Sequence, residues 1–115
     1  MISAGDIVLF RFPSTDLESG KLRPALLLKK IPNEYGDWLV CMVSTQLHQR
    51  IENLEFIVED SDEDFGETGL KKSSLIRTSR LAVVDESMFE GKLGTLSDRK
   101  HKDILLSLAN WLSEF

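Results

Sequence analysis

Three features of the sequence predict a mainly β (α+β) fold: a small, strongly bent sheet or barrel with one helix appended at its C-terminal end. Five or six short runs rich in apolar, β-branched and aromatic residues follow one another, separated by turn-forming clusters. A single late stretch, beginning at Ser97, repeats its apolar residues at helical spacing. The whole is 115 residues long with 42% hydrophobic and 29% charged content, the size and composition of a single domain over residues 1–115 with one core.

The first predicted strand covers residues 6–12, nearly all apolar and therefore buried on both sides. Residues 13–22 are rich in turn formers and lead to Arg23. A second strand is predicted over residues 24–31, a turn over 32–37, and a third strand over 38–43, giving a central hairpin. Ser44, Thr45 and Gln46 end that strand abruptly in hydroxyls and an amide. A fourth strand is predicted over 54–58, and a fifth over 75–78 that continues less regularly through 81–84. A glycine-interrupted last strand follows over 92–96. Ser97 reads as a helix N-cap with Asp98 well placed for the first-turn dipole. Ile104, Leu105, Leu108, Trp111, Leu112 and Phe115 fall on one face, so all six are expected in the core beneath a helix of about 25 Å.

The net charge is −5, but its distribution is uneven. Residues 59–67 hold six of the nineteen acids and no base, which leaves 14 basic against 13 acidic residues elsewhere. The acidic run reads as a solvated loop that repels itself and stays mobile. An EF-hand reading of Asp60, Asp62 and Asp64 fails, because Phe65 and Lys71 stand where glycine and a bidentate glutamate are required. Cys41, the single cysteine, sits in an apolar run and reads as a buried small hydrophobe. No apolar run is long enough to span a bilayer, and residues 1–6 lack the basic and apolar regions of a signal peptide. A cytoplasmic protein with no membrane association is expected.

Arg23 and Pro24 stand at the mouth of the apolar run 25–28. Proline suits the first residue of a strand, while an always-charged guanidinium at the edge of a core needs either an anionic partner or a solvent-filled cleft. Lys71, Lys72, Arg77 and Arg80 form the basic cluster outside the terminal helix. They either hold phosphates of an RNA strand or answer the acidic run just before them. His48 has a pKa suited to acid–base work, although a lone histidine in a polar loop is usually solvated.

The succession Gly5-Asp6-Ile7-Val8, Arg23-Pro24-Ala25-Leu26, Val43-Ser44-Thr45-Gln46, Gly69-Leu70-Lys71-Lys72, Ser74-Leu75-Ile76-Arg77 and Lys92-Leu93-Gly94-Thr95-Leu96-Ser97 resembles the MazF/PemK family of toxins over nearly the whole chain. The resemblance implies an SH3-like barrel with a C-terminal helix, a homodimer, and a toxin-antitoxin endoribonuclease. It further implies cleavage of single-stranded RNA without metal, leaving a 2′,3′-cyclic phosphate and a 5′-hydroxyl, and a cognate antitoxin lying across the RNA groove. No cofactor is implied. By the same resemblance Arg23 is the catalytic arginine and Ser44 occupies the slot of the family's catalytic threonine, with Thr45 taking it if the register shifts by one. Strand alternation argues against both side chains serving one site.

Attack of a ribose 2′-hydroxyl on its own phosphodiester requires charge stabilisation on the phosphoryl oxygens and proton transfer at both ends. Arg23 suits the first requirement, and Ser44 would donate to the same oxygens. The competing reading is a non-catalytic interaction module on the same fold, either a gyrase-binding toxin like CcdB or an inactive relative. A Trp-Gly-Ile tail marks the CcdB case, whereas this chain ends Trp111-Leu-Ser-Glu-Phe115 and carries the Arg-Pro pair.

Overall fold

Residues 1–11 and 21–115 are described by a computed structural model. Phe12 and most of the predicted loop that follows it lie outside the described residues. The elements are β1 (Asp6–Arg11), β2 (Leu22–Lys30), β3 (Asp37–Ser44), β4 (Phe56–Val58), β5 (Ser74–Asp85), β6 (Gly91–Thr95) and α1 (Asp98–Leu112). Together the strands form one curled antiparallel sheet in the order β4-β5-β3-β2-β1-β6, with the C-terminal helix packed against it.

Both faces of the central strands are buried, and this explains why their sequences read as continuous apolar runs. Ile7, Leu26, Leu28, Cys41, Val43 and Ile76 face one way and pack with Ile104 and Leu108 of α1. Val8, Phe10, Ala25, Leu27, Trp38, Val40 and Val84 face the other way and form a second apolar cluster. Leu26 and Leu27 are fully buried on opposite faces, each contributing about 1.5–3 kcal/mol relative to exposure.

Three irregularities interrupt the register, one of them between β1 and β6, where Leu93 is skipped. Leu28 is skipped between β2 and β3, and its carbonyl instead accepts a hydrogen bond from Nε2 of His101 on α1 at 3.0 Å. Residues 78–80 are skipped between β3 and β5, so that Met42 pairs with Arg77 while Cys41 pairs with Leu81. The fifth strand is therefore one element over its whole length, with the predicted irregularity realised as a bulge.

The helix begins as its sequence dictates. The Ser97 hydroxyl accepts from the Lys100 amide, and Asp98 lies in the first turn. Its end departs from the expectation. Ile104 and Leu108 are buried, but Trp111 is 49% and Leu112 59% exposed, and Phe115 lies beyond the helix in solvent. The apolar stripe continues for a turn past the core that covers its first part. No helix among the described residues is long and apolar enough to cross a membrane.

Two acids of the acidic run are tied to the terminal helix. Lys100 Nζ reaches Asp62 Oδ2 at 2.8 Å and Asp64 Oδ1 at 2.6 Å, and these contacts hold the Asp64 carboxyl below the usual carboxylate range. A 3₁₀ turn, Phe65–Thr68, follows, with Phe65 packed against the core and Thr68 buried. A lysine from the distant helix thus supplies the counter-charge that the local sequence lacks.

Candidate functional site

The start of β2, the end of β3 and the loop before β5 meet around one cavity of about 430 Å³. Arg23 lies one residue inside β2, opposite Phe10 of β1. Ser44 is the last residue of β3, opposite Leu75, and Thr45 follows it. Lys71 and Lys72 come from the loop between the 3₁₀ turn and β5. Leu9, Val43, Leu70 and Leu93 supply apolar lining. Arg23, Lys71 and Lys72 thus border a hollow with no aspartate or glutamate among the described residues that line it, in a chain of net charge −5.

Strand β3 stops at Ser44, and both Ser44 and Thr45 are among the residues that border the cavity. Their surroundings differ. Ser44 is buried and its Oγ accepts a hydrogen bond from the Gln46 amide at 3.1 Å, whereas Thr45 is exposed. That contact occupies a lone pair and does not use the hydroxyl proton.

The loop carrying the two lysines is fastened by close backbone packing. Gly69 caps the 3₁₀ turn at φ 73°, and a Cβ there would overlap the Leu93 carbonyl. At Gly94 of β6 a Cβ would overlap the backbone of Glu67 and Thr68. The Thr68 hydroxyl donates to the Phe65 carbonyl at 2.6 Å and accepts from the Leu70 amide at 3.1 Å. Ser74 Oγ donates to the Lys72 carbonyl at 2.8 Å. Among the described residues neither Lys71 nor Lys72 forms an ion pair with an acid. The cation that answers Asp62 and Asp64 is Lys100.

The structure divides the basic cluster seen in the sequence. Lys71 and Lys72 border the cavity, but Arg77 is only 8% exposed and its guanidinium is engaged by Glu55 and Gln49. Arg80 is exposed in the bulge of β5, away from the cavity lining. His48 lies exposed on a 3₁₀ turn, Leu47–Gln49, and does not line the cavity either. Sequence reasoning missed Ser74, which lines the cavity, and Glu55, which is buried close by in the chain to β4. Glu55 carried a usable signal: a lone acid inside the apolar stretch Leu54–Val58 must either end the strand or find a buried partner.

Other hollows have a different character. One of about 880 Å³ is lined by Lys30 and Lys92 together with Asp85 and Glu86, and one beside Trp111 carries Glu52, Asp103 and Glu114. Of these three, only the cleft at Arg23 combines cations and hydroxyls with no acid among the described residues that line it.

The fold is a curled antiparallel sheet with a C-terminal helix packed on it, and among the described residues the cleft at Arg23 is lined by cations and hydroxyls. Residues 3–112 match the family model described as PemK-like, MazF-like toxin of type II toxin-antitoxin system, and the chain belongs to that family. Solved structures that share its fold include the following two. One is an endoribonuclease in complex with its cognate antitoxin from Mycobacterial species, 16% identical, with a TM-score of 0.69 over 97% of this chain and 95% of that one. The other is the Mycobacterium tuberculosis toxin MazF-mt6, also 16% identical, with a TM-score of 0.69 over 96% of this chain and 98% of that one. No curated protein matches the sequence.

Proposed function

We propose that this toxin is an endoribonuclease that cleaves single-stranded RNA at the Arg23 cleft without a metal ion, leaving a 2′,3′-cyclic phosphate and a 5′-hydroxyl. The observation that carries the reading is the gathering of Arg23, Ser44, Thr45, Lys71 and Lys72 around one hollow that has no acid among its described lining residues. Arg23 offers its planar fork to the non-bridging oxygens of the scissile phosphate, where charge grows as the ribose 2′-hydroxyl attacks. Ser44 donates its hydroxyl proton to the same oxygens. Lys71 and Lys72 hold flanking phosphates, and the apolar lining accepts a base splayed from an unpaired strand.

The toxin acts in the cytoplasm as a homodimer, and its activity is masked by a cognate antitoxin. Support comes from the family assignment and from the structural neighbour that is itself in complex with its cognate antitoxin. An antitoxin segment rich in acids would compete with RNA for the same cations, folding as it docks. Arg80 adds a more distant phosphate contact.

The deciding experiment incubates purified protein with a long unstructured RNA in EDTA and maps the product ends. Fragments ending in cyclic phosphate and beginning with 5′-hydroxyl are expected. Intact RNA, with growth arrest on expression, would transfer the protein to the gyrase-binding class of action. Light scattering at micromolar concentration reads the dimer, and co-expression of the adjacent small reading frame reads the antitoxin through rescued growth.

A further inference from the structure

Glu55 is 1% exposed and its carboxylate is fully employed. Oε1 accepts from the Ile51 amide at 3.0 Å, and Oε2 accepts from the Ser79 hydroxyl at 2.6 Å and from the Ser79 amide and Arg77 Nε at 3.3 Å. Arg77 then passes the connection onward. Its Nη1 donates to Gln49 Oε1 at 2.8 Å and its Nη2 to the Gln49 carbonyl at 3.4 Å.

Gln49 closes the 3₁₀ turn, and its amide donates to the Gln46 carbonyl at 3.0 Å. Gln46 in turn gives its own amide to Ser44 Oγ. An unbroken chain of contacts therefore runs from a buried ion pair to the hydroxyl at the cleft. Packing alone does not call for such a pair, since apolar residues of similar volume usually serve stability as well or better. What the ion pair supplies is direction: a guanidinium fork fixes the bearing of both its partners.

We propose that Glu55 and Arg77 are positioning residues for RNA cleavage, a buried clamp that holds the Leu47–Gln49 turn and, through the Gln46 amide, orients the Ser44 hydroxyl toward the cleft. The inference rests on the ribonuclease reading, so its test includes a measurement that needs no activity.

Glu55→Gln, Arg77→Lys and Gln49→Ala are compared with the parent protein at a temperature where circular dichroism shows each to be folded. Glu55→Gln and Arg77→Lys should each lower kcat about 10- to 100-fold, the cost of slight misplacement, with KM within about twofold of the parent. Hydrogen exchange at the Gln46 amide should quicken about 10-fold or more while core amides of β2 keep their protection. Gln49→Ala should move both readouts in the same direction, and because Gln49 is exposed it carries the test if the buried variants do not fold. Parent-like kcat with parent-like Gln46 exchange in a folded variant overturns the proposal. So does a loss of kcat that merely follows the unfolded fraction and disappears on cooling. If the parent protein leaves RNA intact, the ribonuclease reading fails by itself, and Gln46 exchange alone then supports or overturns the clamp.

Discussion

The amide of Gln46 donates to Oγ of Ser44 across 3.1 Å, and this contact separates two neighbouring hydroxyls that both line the cleft. Ser44 is held by the backbone; Thr45 is exposed and has no such restraint from Gln46. A fixed donor contributes more to a transition state than a mobile one, because its orientation is set before charge develops. Ser44→Ala is therefore expected to slow single-turnover cleavage of a fluorogenic RNA by about 10- to 100-fold, the loss of one hydrogen bond to a charged group. Thr45→Ala should stay within about threefold of the parent. Ser44→Thr should match or exceed the parent, since a β-branched side chain restricts χ1. The opposite ranking of the two alanine variants would make Thr45 the catalytic hydroxyl.

Arg23 lies exposed at the start of β2 and forms no ion pair with an acid among the described residues, so its removal leaves the core untouched. Arg23→Ala should keep the parent melting temperature while cleavage falls by about 100-fold or more. Arg23→Lys should recover little, because an ammonium retains the charge without the fork. Parent-like cleavage by Arg23→Ala would place the activity at another site.

The legible parts of this fold were those set by local sequence. Continuous apolar runs gave β1 to β3, and the Ser97–Asp98 pair placed the start of α1. Three features depended on distant partners and escaped. Trp111 and Leu112 continue the helical period of Leu108, and periodicity carries no information about where the sheet beneath ends. The acids at 62 and 64 have their cation 36 to 38 residues away at Lys100, so the local charge count concealed their link to the helix. Arg77 was grouped with Lys71, Lys72 and Arg80 by chain proximity, but its neighbour in space is Glu55, 22 residues earlier. For the site, the Arg-Pro pair and the hydroxyls ending β3 were readable. The burial of Ser44 beside an exposed Thr45 was not, since it depends on what packs around the end of the strand.

Glu55 also makes a prediction about acid. Burial raises the pKa of its carboxyl, but the Ser79 hydroxyl, the Ile51 amide, Arg77 and the Ser79 amide outweigh burial and hold it below the usual carboxylate value. A lowered folded pKa means that this group's contribution to stability is complete above the unfolded value of about 4.3 and is lost as pH falls below it through the folded value. Urea midpoints measured from pH 7 down to 3 should therefore fall in the parent. In Glu55→Gln the starting midpoint should be lower and the decline over that acid range shallower. An equally steep acid decline in the variant would assign it to other carboxylates.

Backbone contact between the lysine-bearing loop and β6 supplies the remaining test. At Gly94 a Cβ would overlap the carbonyl of Glu67 and the backbone of Thr68, atoms that cannot rotate out of the way as a side chain would. Gly94→Ala must therefore push the Phe65–Thr68 turn off the sheet, and Lys71 and Lys72 move with it. Overpacking of this kind should lower stability by about 1–3 kcal/mol. RNA affinity should fall as well, with a shallower dependence on salt because fewer phosphates are held. Gly66 lies in the same turn, but a methyl group added there would meet nothing within 4 Å, and its φ is not positive. Gly66→Ala should accordingly match the parent in melting temperature and in salt-dependent RNA binding. If Gly94→Ala also matches the parent in both, the loop is not fastened through β6, and the placement of Lys71 and Lys72 at the cleft must come from the Thr68 and Ser74 hydrogen bonds.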